Sequence, residues 1–262
     1  DGLSNNTAIC TLQDNKGFLW FGTKDGLNRF DGYSFKIYRN DPSDNSSIGN
    51  NSIWRLHEDK TGVLWVGTER GLYSYQPSTE NFQLLPGSPK SEISGITTDK
   101  SGDLWFIGGF KLYQYSRKNR QLISHHDNAY LNFCTSITTS SDGKIWVGTI
   151  DGFIVNYDVT DNSFRPFSVF AHSKPSASSW IEKIYDSGLG FLLIGTSNQG
   201  IKKFDLNNCS YSDLLTYNKD GSEIYARDFI RYNANEFWIA TENGIYIFDA
   251  IQDRFTHLTK NI

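Results

Sequence analysis

One short phrase recurs through the chain and constrains it more than any other feature. "LWFGT" (Leu19 to Thr23) returns as "LWVGT" (Leu64 to Thr68), "LWFIGG" (Leu104 to Gly109) and "IWVGT" (Ile145 to Thr149). It returns again as "LLIGT" (Leu192 to Thr196) and "FWIAT" (Phe237 to Thr241). The anchors Trp20, Trp65, Trp105, Trp146, Leu193 and Trp238 are 45, 40, 41, 47 and 45 residues apart. A period between about 20 and 50 residues signals a solenoid, a propeller or an array. Around each anchor lie four short runs rich in Val, Ile, Tyr, Phe, Trp and Thr, separated by Gly, Asp and Asn. In the first unit the runs are "AICTL", "FLWFGT", "LNRFD" and "SFKIY". No window sustains an apolar 3.6-residue period of helical length. Four strands in about 44 residues make one propeller blade. The fold class is therefore all-β: a β-propeller of four-stranded blades with six repeats visible, either six-bladed or a seven-bladed ring lacking one blade. The expected domain is a single propeller over 1–262, with repeats near 5–47, 48–90, 91–130, 131–173, 174–220 and 221–262.

Each repeated residue has a structural reading. The second-strand Trp fills the gap between neighbouring sheets, so Trp20, Trp65, Trp105, Trp146 and Trp238 are expected to be buried. The Gly of "GT" lets backbones crowd. The D-x-x-G segments at Asp14/Gly17, Asp59/Gly62 and Asp99/Gly102 are expected to turn the chain from the first strand to the second, with Ser140/Gly143 and Ser187/Gly190 as weaker copies.

Composition narrows the function. A net charge of −4 disfavours a nucleic-acid partner, which would select a basic stripe. No run of 18 apolar residues forms a membrane helix. The chain opens on Asp1 rather than methionine and is expected to be a processed or excised piece. Cys10, Cys134 and Cys209 match no disulfide framework or zinc spacing. No G-x-S-x-G, H-E-x-x-H, P-loop or G-x-G-x-x-G occurs. The five histidines cluster only at His125-His126, which reads as a solvated loop pair. "DPSDN" (Asp41 to Asn45) lacks the later Gly and Glu of a calcium loop. The expectation is no catalytic residue, no metal and no cofactor.

The stretch "DGLSNNTAI…LQDNKGFLWFGTKDGLNRFDGYSFKIYRNDP" resembles the start of the sensor region of Bacteroides-type hybrid two-component systems. The repeats resemble the two-component regulator propeller repeat, roughly N-N-x-I…D-x-x-G-x-L-W-x-G-T-x-x-G-L. Units one and two match it closely, and units four and six well. Unit three lacks the Thr, and unit five has Leu193 for Trp. The resemblance implies an N-terminal periplasmic sensor propeller of an inner-membrane histidine kinase, acting without catalysis in glycan or oligosaccharide detection. It implies as partners a second propeller and a second protomer of the same receptor. One alternative is a protein-interaction or dimerisation platform without its own ligand. Another is a propeller lyase, since "IWVGT…GFIVNYD" resembles the repeats of streptogramin lyases.

Propellers bind ligands where the turns between strands two and three meet the starts of first strands. On that side this chain places Trp54, Arg55, Glu69, Arg70, Trp180, Arg227 and Glu242. An aromatic ring covers the apolar face of a sugar, and Arg pairs with the carboxylate of a uronic acid. Strand alternation would let only one of Trp54 and Arg55 face the channel.

Overall fold

The computed structural model describes residues 2–125, 128–131, 133–158, 160–170 and 178–258. Its strands form six four-stranded antiparallel sheets, each a blade that runs in chain order. Blade one holds β1 (Ala8–Gln13), β2 (Leu19–Thr23), β3 (Gly26–Phe30) and β4 (Phe35–Tyr38). Blade two holds β5 (Ile53–Glu58), β6 (Leu64–Thr68), β7 (Gly71–Gln76) and β8 (Asn81–Leu84). Blade three holds β9 (Ile93–Thr98), β10 (Leu104–Gly108), β11 (Lys111–Ser116) and β12 (Gln121–Ser124). Blade four follows a single 3-10 turn (Ala129–Leu131) with β13 (Cys134–Thr139), β14 (Ile145–Thr149), β15 (Phe153–Asp158) and β16 (Ser163–Ser168). Blade five holds β17 (Ile181–Asp186), β18 (Phe191–Thr196), β19 (Ile201–Asp205) and β20 (Ser210–Leu215). Blade six holds β21 (Ala226–Arg231), β22 (Glu236–Thr241), β23 (Gly244–Asp249) and β24 (Arg254–Leu258). The fold is a β-propeller of four-stranded blades, as the period predicts. Two compact units divide it, Asp1–His126 with blades one to three and Asp127–Ile262 with blades four to six.

The repeated phrase builds the packing between blades. Trp20, Trp65, Trp105 and Trp146 are all buried on second strands. Within the first unit Trp20 meets Tyr75 of blade two edge-on at 5.1 Å, and within the second Trp146 meets Phe204 of blade five at 5.4 Å. The turn acid has a second task that its spacing does not announce. Asp14, Asp59 and Asp99 each accept a hydrogen bond from the indole N–H six residues on, at 2.8, 2.7 and 2.9 Å. Ser140 does the same for Trp146 at 3.2 Å. A Cβ on Gly67 would lie 2.9 Å from Ile93 of blade three, and one on Gly195 would lie 2.5 Å from the Ala226 carbonyl of blade six. Glycine at these positions sets how closely successive blades approach.

Trp238 departs from expectation, being half-buried. The residue six before it is Tyr232, not an acid, and the two rings stack at 5.2 Å. Its indole N–H donates to Glu236 instead. No further blade of the second unit covers this side of blade six, where Ile230 is 64% and Tyr232 67% exposed. Blade six also carries Ala240 where blades one, two, four and five have the crowded Gly, and Ala240 is exposed; blade three has Ile107 there.

Candidate functional site

Turns and strand starts are stitched into one rim of each blade. The backbone N–H of Glu69 donates to the Ser52 carbonyl at 3.0 Å, and that of Ser197 to the Trp180 carbonyl at 3.2 Å. The "GT" threonine locks the turn from inside. Thr68 Oγ1 donates to the Gly71 carbonyl at 2.9 Å and accepts the Arg70 N–H at 3.1 Å. A buried threonine thus holds Glu69 and Arg70 outward, both exposed.

A β-bulge shapes the other half of the rim, and it corrects the expected alternation. In blade two Ile53 pairs with Thr68 while Arg55 pairs with Gly67, which leaves Trp54 as the extra residue. The same shift occurs in all six blades, at Ile9, Trp54, Ser94, Thr135, Glu182 and Arg227. A bulge re-aims a side chain and breaks strict alternation. Trp54 and Arg227 therefore occupy equivalent positions, and Arg55 does not substitute for Trp54. Glu182, absent from the sequence-derived set, belongs with them. Counting one residue past the strand start in each repeat would have found it, had the bulge been visible in the sequence.

In the first unit Arg55 Nη1 donates to the Trp54 carbonyl at 2.9 Å. Burial pushes the Glu92 carboxyl above its usual range, the Arg55 guanidinium opposes this, and Glu69 adds to it. Arg55, Glu69 and Glu92 thus share one electrostatic neighbourhood, and Glu92 is a second residue that sequence reasoning missed. Arg70 forms no ion pair with any described residue. Trp54 Nε1 is buried with no hydrogen-bond partner among the described residues.

The second unit has a tighter cluster. Arg227 Nη2 donates to Glu242 at 2.7 Å, and Nη1 lies 3.6 Å from Glu182 of blade five. Its guanidinium lies 3.8 Å from the centre of the Tyr225 ring. The Tyr225 hydroxyl donates to Glu182 at 2.8 Å. Burial pushes the Tyr225 pKa up, and Glu182 pushes it further. The structure pairs Arg227 with Glu242, both members of the sequence-derived set, and adds Tyr225 and Glu182, which that set lacks. Trp180 precedes β17 as Tyr225 precedes β21, so its place is that of Tyr225 one blade earlier. Arg227 is already engaged by two carboxylates. The Arg70 guanidinium, on the rim of its own blade in the first unit, has no such partner among the described residues.

The described histidines sit elsewhere. His57 bonds Thr98 at 3.2 Å, and burial holds its pKa down at about 4. His125 stacks on Trp105 at 5.2 Å and His257 on Tyr246 at 4.0 Å. His126 and His172 lie outside the described residues. No group of three or more His, Cys, Asp or Glu able to hold a metal occurs among the described residues. Cys134 is buried, Cys209 is exposed and Cys10 is partly covered.

The chain is similar to propellers of two-component systems. The two-component regulator propeller family matches residues 2–25 and 47–70. A stretch of 48 residues is 60% identical to histidine kinase P4 of Formosa agariphila, covering 18% of this chain and 4% of the kinase. An extracellular domain assigned to a hybrid two-component system of B. thetaiotaomicron matches with a TM-score of 0.82 and 27% identity, over 99% of this chain and 36% of that one. A streptogramin B lyase matches with a TM-score of 0.76 at 15% identity, over 99% of this chain and 85% of the lyase, a likeness of fold alone. The chain spans about a third of the length of the two-component extracellular domains it matches. No helix among the described residues is long and apolar enough to cross a membrane.

Proposed function

We propose that this chain, a propeller carrying two-component regulator repeats, is a non-enzymatic sensing domain of a periplasmic receptor and contributes to detecting a glycan or oligosaccharide. The observation that carries the reading is the bulge. It sets Trp54, Glu182 and Arg227 at one repeated position, beside turns that hold Glu69, Arg70 and Glu242 outward. Aromatic rings beside charged groups suit sugar recognition, because the ring covers C–H faces while the charges meet hydroxyls. Rigid scaffolds with functional loops are the usual setting for such sites. The likeness, over 99% of this chain, to part of an extracellular domain of a hybrid two-component system supports a sensory role over catalysis.

Calorimetric titration of the chain against oligosaccharide panels, neutral and uronate-containing, tests the reading. Saturable binding that weakens in Trp54→Ala and Trp180→Ala is expected. The same mixtures, analysed for products with and without divalent metal, should show none. Binding by no member of the panel, or metal-dependent turnover lost on changing a single histidine, would overturn it.

A further inference from the structure

The residue just before each first strand stands on the rim, one per blade, and its chemistry can be compared from blade to blade. Register fixes it: the residue after it pairs with the end of the second strand, as Cys134 pairs with Thr149, Ile181 with Thr196 and Ala226 with Thr241. Its carbonyl accepts the N–H of the first turn residue, from Ile150 to Phe133 at 3.1 Å and from Ser197 to Trp180 at 3.2 Å. In the first unit this position holds Thr7, Ser52 and Glu92. In the second unit it holds Phe133, Trp180 and Tyr225, an aromatic in each of three successive blades.

Phe133 is 57% exposed, and its φ of +56° lies in the left-handed region, where a bulky side chain is strained. A ring both strained and open to water lowers the stability of the free domain, and such positions cluster where ligands are held. Trp180 and Tyr225 are each partly exposed. The Tyr225 ring is backed by the Arg227 guanidinium 3.8 Å from its centre, and its hydroxyl is anchored on Glu182.

The polar groups of this rim are acids and amides. The second-unit turns carry Asp151, Asn198, Glu242 and Asn243 and no Lys or Arg, whereas the first-unit turns carry Lys24 and Arg70. Arg227 is held by Glu242 and Glu182, and Lys183 by Asp228. The connection into blade six brings Lys219 together with Asp220 and Glu223. An anionic sugar would meet carboxylates here. A hydroxyl, which both donates and accepts, suits acids and amides alike.

We propose that Phe133, Trp180 and Tyr225 are successive stacking places for a linear, neutral oligosaccharide of at least three sugars. This rests on the glycan reading above and narrows it to uncharged chains held by the second unit. Each ring covers the C–H face of a sugar, and the acids and amides of the turns take its hydroxyls.

Calorimetry on the whole chain tests this with neutral gluco-, xylo-, manno- and galacto-oligosaccharides from disaccharide to hexasaccharide, and with galacturonate oligomers of the same lengths. At least one neutral series is expected to bind, with affinity rising about tenfold or more from disaccharide to tetrasaccharide and galacturonates at least about tenfold weaker. Trp180→Ala should lose about tenfold in affinity. Phe133→Asn should lose about as much while its melting temperature holds or rises, because Asn accepts a left-handed φ. Galacturonates that bind as well as neutral chains, affinity independent of length, unchanged affinity in either variant, or a melting temperature that falls with the affinity in Phe133→Asn would each overturn the proposal and leave the glycan reading standing. Binding by no oligosaccharide would defeat that reading and this proposal with it.

Discussion

Replacing Trp65 and Trp238 by alanine, one at a time, tests the account of blade packing at two copies of one repeat position. Trp65 is 7% exposed, and its indole N–H donates to Asp59, which is itself buried. Removing a buried Trp costs about 3–5 kcal/mol through lost transfer energy and the cavity left behind. A bond to a buried carboxylate adds about 1–3 kcal/mol. The Arg117–Asp59 pair survives the change and limits this second part. A total near 4–5 kcal/mol is expected for Trp65→Ala. Trp238 loses less, because its face is half open to water, Tyr232 beside it is 67% exposed, and its polar partner Glu236 is not buried. About 1–2 kcal/mol is expected there. Urea unfolding followed by far-ultraviolet circular dichroism, with m-values compared to detect loss of two-state behaviour, measures both. Equal losses, or a larger loss at Trp238, would refute the claim that burial by the next blade sets the value of this tryptophan.

Gly195→Ala should cost about 1–3 kcal/mol, since its Cβ would sit 2.5 Å from the Ala226 carbonyl, whereas Ala240→Gly should cost under about 1 kcal/mol. A loss at Gly195 no greater than at Ala240 in the same melts would count against glycine as the spacing device. His57 predicts acid sensitivity. Burial holds its folded pKa at about 4 against an ordinary 6.5, so the unfolded chain takes up the proton first as pH falls. Its contribution is complete above pH about 6.5 and is lost between there and about 4, up to about 3 kcal/mol. His57→Gln should flatten the stability profile across that window, and an unchanged slope would contradict the burial argument. Arg70→Glu and Arg227→Gln should lower a full receptor's response to its glycan in a cellular reporter assay while shifting the domain's stability by no more than about 1 kcal/mol. An intact response in both would move the sensing surface off this rim.

What the chain alone decided is the blade. A 40-to-47-residue period, β-forming runs and glycine-bearing turns leave a four-stranded sheet as the repeating unit, because those preferences act over a few neighbouring residues. Tertiary structure decided what each copy of the phrase does. Trp65 and Trp238 share a motif and differ in burial, because a ring is covered only if another blade lies against it. The bulge that groups Trp54, Glu182 and Arg227 is a property of strand pairing and left no mark that alternation could reveal. Glu182 and Tyr225 joined Arg227, and Arg117 reached Asp59, through contacts between blades roughly a whole repeat apart in sequence. Such contacts depend on the register of two sheets, which no local pattern encodes.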